Sequence, residues 1–105
     1  MNQQFEAKWP EADARKIVLS LVSECSDLRN LTVPTIIGGG RTADKVQARH
    51  WVMYEAFHNG CTQPQIGRVF DLDASTIHHG IEMETNRRAK SAKRHGLPMF
   101  RSVRA

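Results

Sequence analysis

The sequence predicts a small all-α domain, and three observations support this. Apolar residues recur at three- and four-residue spacing in several segments, as on one face of a helix. Glycine, proline and asparagine separate these segments. No segment shows the strict apolar–polar alternation of a half-buried strand. A chain of 105 residues, 40% of them hydrophobic, has room for one domain with a modest core.

The first predicted helix covers residues 11–26. Its apolar face consists of Ala14, Ile17, Val18, Leu21, Val22 and Cys25. The polar run from Asp27 to Thr32 is expected to leave the helix. Pro34 fits the first turn of a short helix that reaches Ile37, and the following Gly38-Gly39-Gly40 interrupts regular structure.

A longer helix is predicted over residues 44–58. Thr42 and Asp44 are its candidate N-caps, and Gly60 is suited to a left-handed C-terminal cap. Its apolar positions are Val46, Ala48, Val52, Met53, Ala56 and Phe57. Thr62 and Gln65 then have the spacing of a capping box, which predicts another short helix that ends near Phe70.

The last predicted helix follows a tight turn at residues 71–73. Asp73 or Ser75 caps it, and it runs to Arg88 or beyond, with Gly96 and Pro98 as stops. The two helices Pro64–Phe70 and Ser75–Arg88 are joined by about four residues, as in a helix-turn-helix. The residues expected to close this pair are Ile66, Gly67, Val69, Phe70, Leu72, Ile77 and Ile81.

Polar residues at the start of the last helix are candidates for reading DNA bases. Asp73, Ser75 and His78 are expected to point outward, where a recognition helix meets base edges in the major groove. Ala74 offers a methyl group for a thymine methyl. An ordinary helical hairpin with a capped second helix is the alternative interpretation of the same pattern.

Positive charge is concentrated at the C-terminal end of the chain. The formal net charge is +4, and residues 85–105 contain seven basic residues and no acidic one. This distribution indicates a flank that contacts phosphates, or else a solvated tail. Arg87 and Arg88 in this stretch are expected to contact phosphates. Lys45, Thr62 and Arg68, elsewhere in the chain, are further expected phosphate contacts.

The order of several short motifs resembles the C-terminal DNA-binding domain (domain IV) of DnaA, the bacterial replication initiator. The motifs are Arg41, Ala48-Arg49, Met53-Tyr54, Pro64-Gln65-Ile66-Gly67, Phe70 and the run from Asp73 to His79. The resemblance covers about residues 13–85. It implies a Trp-repressor-like helical bundle with a helix-turn-helix.

The resemblance also implies a role for each matching residue. Arg41 matches the arginine that enters the minor groove, and Pro64 matches a residue that touches a thymine methyl. Asp73 and Ser75 match base readers of the major groove. The residues that match positions at or near the phosphate backbone are Arg49, Thr76 and His79.

The chain departs from the DnaA pattern at several points of the interface. Ala74 replaces the signature histidine, and His78 replaces an aliphatic residue. The turn Asp71–Asp73 is one residue shorter and lacks an arginine, and the loop before Arg41 is rich in glycine rather than basic. These differences predict a DNA target other than the standard DnaA site. The chain also lacks the Gly-Lys-Ser/Thr ending of a phosphate-binding loop.

Other classes of function are less well supported by the sequence. Cys25, Cys61 and the five histidines lack the spacing of a metal site, and no catalytic pair is evident, so we expect neither a metal nor a cofactor nor an enzymatic activity. An RNA-binding basic protein that stacks bases on Trp9, Trp51 and Tyr54 is an alternative. No apolar run approaches the ~18 residues of a membrane span.

The sequence therefore predicts an N-terminal extension (1–12), a DnaA-like helix-turn-helix domain (13–88) and a basic C-terminal tail (89–105). The expected partner is double-stranded DNA, and a transcription or replication protein is a further candidate. The expected function is that of a phage-like bacterial transcription regulator in the cytoplasm, associated with the nucleoid. A replication accessory that competes at origin-like sites is the alternative among DNA-binding functions.

Overall fold

The computed structural model describes residues 7–94, and these form five α-helices without a β-strand. The helices are α1 (Glu11–Arg29), α2 (Val33–Gly38), α3 (Ala43–His58), α4 (Gln63–Phe70) and α5 (Ala74–Arg94). This confirms the predicted all-α class and the order of the helices. Helix α5 extends past Arg88, into the segment predicted to be a tail, whereas the predicted stops at Gly96 and Pro98 lie outside the described residues.

Helix α1 runs three residues beyond its predicted end at 26. Asp27, Leu28 and Arg29 are exposed and helical, so two charged residues in this segment do not end the helix. Asn30 ends it instead, with the left-handed φ of 56° and a backbone N–H that donates to the Ser26 carbonyl. Asparagine is among the few non-glycine residues that adopt this conformation readily.

One apolar core joins all five helices. Helices α3 and α4 each pack against all four other helices, and α3 has the most extensive contacts, with α5 and α1. The buried apolar residues are Ala14, Val18, Val22, Cys25, Ile36, Ala48, Val52, Met53, Ala56, Cys61, Ile66, Phe70, Ile77 and Ile81. Within the described range, no helix is both long enough and apolar enough to cross a membrane.

Candidate nucleic-acid interface

Helix α4 begins with the predicted capping box. The Thr62 hydroxyl accepts from the Gln65 backbone N–H at 3.2 Å, and the Gln65 side-chain oxygen accepts from the Thr62 N–H at 3.0 Å. The Gln65 amide also donates to the Trp9 carbonyl at 2.9 Å. Two hydrogen-bonding groups of Thr62 are therefore used inside the protein, and the buried Gln65 side chain ties α4 to the segment before α1. Pro64 lies exposed in the first turn of α4.

The turn between α4 and α5 closes tightly against a glycine. Asp71 adopts the left-handed φ of 59°, and the Leu72 N–H donates to the Gly67 carbonyl at 2.9 Å. A Cβ on Gly67 would penetrate the Leu72 carbonyl oxygen and lie 3.6 Å from Ile77. Gly67, expected among the residues that close the helix pair, has the backbone of the turn as its closest neighbour. Leu72 was expected among them as well, and this is wrong, because Leu72 is 37% exposed and backbone contact closes the turn.

Asp73 caps α5, which decides between the two candidate caps. Its carboxylate accepts from the Thr76 backbone N–H at 2.9 Å and from the Ser75 hydroxyl at 3.1 Å. Hydrogen bonds from Thr76 and then Ser75 hold the pKa of Asp73 below its usual range, so the carboxylate stays charged at neutral pH. Asp73 is exposed as well as capping, so both predicted uses of this side chain are open to it.

The first two turns of α5 present a polar outer face. Ser75, Thr76, His78 and His79 are exposed, Ala74 is half-buried, and Ile77 and Ile81 face the core. His78 also contacts the start of α4 and the next turn of α5: Gln63 Nε2 lies 3.3 Å from its Nδ1, and Glu82 Oε2 lies 3.2 Å from its Nε2. With the Gln63 amide as donor, Nδ1 accepts and Nε2 carries the proton toward Glu82. This contact joins the start of α4 to the outer face of α5.

Arg87 and Arg88, predicted to contact phosphates, form ion pairs inside the protein. Both guanidinium groups bind the Glu84 carboxylate, whose side chain is 6% exposed, and the Arg88 contact measures 2.8 Å. Arg88 also binds Glu55 at 2.8 Å and lies over the Tyr54 ring, 3.9 Å from its centroid. These two arginines join α3 to α5, and much of their charge is balanced by carboxylates.

Arg68, another predicted phosphate contact, forms an ion pair with Glu11 at the start of α1. Its guanidinium donates to both carboxylate oxygens, at 2.5 and 3.0 Å. The hydrogen bond with Arg68 lowers the pKa of Glu11, and the same contact raises the pKa of Arg68. Both side chains are more than half exposed, so this pair orients Arg68 without removing it from solvent.

The loop between α2 and α3 gathers three further predicted contacts. Arg41 is exposed directly after the glycine run, and the half-buried Lys45 and Arg49 lie one helical turn apart on α3. Arg49 donates to the Gly40 carbonyl at 2.5 Å and to the Ile36 carbonyl at 3.4 Å. Burial lowers the pKa of Arg49, although a guanidinium remains charged at neutral pH.

A histidine pair lies where α3 meets α5. The rings of His50 and His79 are 6.4 Å apart and perpendicular, and Arg87 lies 3.4 Å from His50 Nδ1. Burial first, and then the nearby Arg87, lowers the pKa of His50. His79 is thus exposed on the outer face and also in contact with a half-buried, preferentially neutral histidine.

The residues weighed for other functions are mostly packed. Trp9, Trp51 and Tyr54 are half-buried against the core, and the Trp9 indole donates to the Asn59 carbonyl at 2.8 Å. Both cysteines are buried, and burial raises the pKa of each thiol. No cluster of three metal-ligating side chains occurs among residues 7–94.

Sequence reasoning missed three residues that shape this region. Gly80 lies where α3 crosses α5, since a Cβ there would penetrate the Met53 sulfur and lie 3.0 Å from His50. A glycine in the middle of a predicted helix is the signal that could have indicated this close approach. Gln63 looks like an ordinary surface residue in the sequence, because nothing local shows that it meets His78. Glu84 has a local signal, since Arg87 and Arg88 follow it by three and four residues on the same helix, but only the fold shows that Glu84 is buried.

The predicted contact residues therefore lie at the start of α5, at Arg87 and Arg88 further along α5, and around the loop before α3. Thr62, Pro64 and Arg68 lie on α4 or at its cap. Comparison of the chain with protein-family models, with curated proteins and with solved structures gives no match.

Proposed function

We propose that this chain is a sequence-specific module for double-stranded DNA that reads its site with α4 and α5 as a helix-turn-helix. The observation that carries the proposal is the exposed polar face at the start of α5, built on a tightly closed corner. The resemblance to the DnaA domain IV fold supports it through the order of the motifs. Duplex binding would associate the protein with the nucleoid.

The rigidity of the corner supports a reading function. Gly67 brings the turn backbone against α4, Asp73 caps α5, and Ile77 is fully buried. A reading side chain must be held in place by the element that carries it, since errors of about 1 Å weaken a designed contact. The backbone that carries Ser75, Thr76 and His78 is therefore held in a fixed position.

The chemistry of the face suits base edges. The hydroxyls of Ser75 and Thr76 both donate and accept, and a histidine ring can donate to a purine acceptor. A free carboxylate oxygen can accept from the amino group of cytosine. The face is short and polar rather than strongly basic, which favours readout of sequence over purely electrostatic attachment.

Fewer cationic residues are available to bind phosphates than the sequence predicts. Arg87 and Arg88 are engaged by Glu84 and Glu55. Exposed cations at Arg41, Lys90 and Lys93 are the better candidates for phosphates or, for Arg41, the minor groove. If about four to six phosphates are engaged, affinity falls steeply with salt, with a log–log slope of several units.

The departures from the DnaA pattern favour regulation of transcription over a role at origins. Ala74 and His78 change the reading face itself, so the module is expected at a site of its own. A phage-like transcription regulator fits a small reader with a new target. The alternative is a replication accessory that competes at origin-like sites. In that case the duplex sequence that the chain binds best would resemble the DnaA site.

The test begins with selection of binding sites from random duplexes. Ser75→Ala and His78→Ala are then measured on the selected site and on a scrambled duplex, after circular dichroism has confirmed their helicity. Each should reduce discrimination by about 1–3 kcal/mol per lost base contact while weak nonspecific binding persists. Lys93→Ala is the matched control, since it should weaken both duplexes equally.

Two results would refute the proposal. An unchanged specificity ratio in both the Ser75 and His78 variants would show that α5 is not the reader. A preference for single-stranded nucleic acid, or an affinity that ignores salt, would favour the RNA-binding alternative or a function without nucleic acid.

A further inference from the structure

Arg49 bridges the two ends of the glycine run that precedes Arg41. Its guanidinium donates to the carbonyl of Ile36, in the last turn of α2, and to the carbonyl of Gly40. Gly38 and Gly39 lie between these two acceptors, and Gly39 has the left-handed φ of 95°. A single side chain on α3 therefore fixes both ends of this segment.

The bond to Gly40 bears directly on Arg41. The Gly40 carbonyl and the Arg41 nitrogen belong to the same planar peptide group, so a hydrogen bond to the carbonyl orients the backbone from which Arg41 projects. Glycines lose more conformational freedom on ordering than other residues. Without an anchor, a run of three would let Arg41 sample many directions.

Lys45 closes the same loop from one helical turn away. A Cβ on Gly40 would lie 2.5 Å from Lys45 Cδ, so the aliphatic part of Lys45 covers this glycine. Both α3 cations that the sequence assigned to phosphates are thus placed over the loop. Among residues 7–94, the polar contacts of the Arg49 guanidinium are these two neutral carbonyls and no carboxylate.

We infer that Arg49 is a positioning residue, which holds the glycine loop so that Arg41 enters the minor groove, and is not itself a phosphate contact. The inference rests on the proposed duplex binding. It makes preference for A/T-rich flanks a property of the Arg41–Arg49 pair, since a narrow A/T-rich groove attracts a correctly placed arginine.

The test compares Arg49→Lys with Arg41→Ala on the selected site with A/T-rich and G/C-rich flanks. Lysine keeps the charge but lacks the planar fork that reaches two carbonyls. Both variants should lose the flank preference, by a factor on the order of ten, as for one good specific contact. The double variant should lose no more than Arg41→Ala alone, because coupled residues are not additive.

A phosphate contact at Arg49 predicts the opposite pattern. Arg49→Lys would then keep the flank preference, and Arg49→Met would weaken all duplexes equally and lower the log–log salt slope by about 0.9. That result would overturn the inference. Gly38→Ala is the matched loop control: a Cβ there meets no atom within 4 Å, so its flank preference should remain that of the parent chain.

A measurement without DNA separates this inference from the proposed function. Backbone ¹⁵N order parameters, which report motion on the ps–ns timescale, should fall at Gly39, Gly40 and Arg41 in Arg49→Lys, while those in the core of α3 stay unchanged. Unchanged order parameters at the loop overturn the positioning role even if the chain binds duplexes. Lower order parameters in a chain that binds no duplex support the positioning of the loop by Arg49 and refute the proposed function, and with it the entry of Arg41 into the minor groove.

Discussion

The two halves of α5 use their polar side chains differently. At its N-terminal end, Ser75, Thr76 and His79 are exposed, and the contacts of the first turn are a backbone cap and short-range polar pairs. At Arg87 and Arg88, the side chains turn back onto a buried Glu84 and onto α3. The first half presents a surface, whereas Glu84, Arg87 and Arg88 in the second half form an interface within the protein.

This difference shows that charge in a sequence is a poor guide to available charge in a fold. The C-terminal stretch has the higher density of arginine, yet Arg87 and Arg88 largely balance carboxylates. The start of α5 has fewer formal charges, yet Ser75, Thr76, His78 and His79 are exposed there.

The largest effect is expected at Glu84. Glu84→Ala leaves two half-buried guanidinium groups without their shared carboxylate, which should cost about 3 kcal/mol of the free energy of unfolding. Chemical denaturation measures this loss. Glu82→Ala, on the exposed side of the same helix, should stay within about 0.5 kcal/mol of the parent. Equal losses of the free energy of unfolding in the two variants would contradict the distinction between the exposed N-terminal half of α5 and the internal ion pairs of its C-terminal half.

The next effect is expected at the corner that supports the N-terminal half. Gly67→Ala places a methyl group against the Leu72 carbonyl, and backbone cannot move aside as a flexible side chain can, so we expect a loss of about 2 kcal/mol. Gly38→Ala meets open space and should be neutral or stabilising by up to about 1 kcal/mol. Thermal unfolding of the two variants is the measurement. A stable Gly67→Ala would mean that the corner is not tightly closed.

A smaller effect separates free from balanced charge in the C-terminal half. Lys93→Ala should lower the log–log salt slope of duplex binding by about 0.9 if it meets one phosphate. Arg88→Ala should leave the slope unchanged and lower the melting temperature instead, because its guanidinium already binds Glu84 and Glu55. A lower salt slope in Arg88→Ala, with an unchanged melting temperature, would show that Arg88 leaves its ion pairs to contact DNA.

The smallest effect is a pH dependence at His50. Burial and the charge of Arg87 lower its folded pKa, whereas the unfolded value is near 6.5. The contribution of His50 to the free energy of unfolding is therefore fully present above pH 6.5, and it is lost as the pH falls from 6.5 through the folded pKa. Melting temperatures between about pH 7.5 and about pH 5.5 should fall in the parent and fall less in His50→Gln. Parallel curves would remove His50 as the cause.

Much of the fold could be predicted because its signals are local. The apolar periods of α1 and α3, the Thr62–Gln65 capping box and the tight turn at 71–73 each involve residues within a few positions of one another. The predicted end of α1 is wrong because polar residues do not stop a helix, whereas Asn30 stops it through its backbone conformation. The prediction for Leu72 is wrong because the turn is closed by backbone contact rather than by a side chain.

The sequence by itself determined the all-α class, the order of the helices and the outward position of Ser75 and His78, since each depends on spacing and capping. The tertiary structure decided what several of the cations do. Arg49 and Arg68 look like free positive charges in the sequence, and they meet Gly40 and Glu11 across a loop or across the fold. The spacing of Glu84 with Arg87 and Arg88 already permits ion pairs along α5, but the burial of Glu84 and the bond from Arg88 to Glu55 depend on how α5 packs. Long flexible side chains bind the nearest acceptor that packing brings within reach.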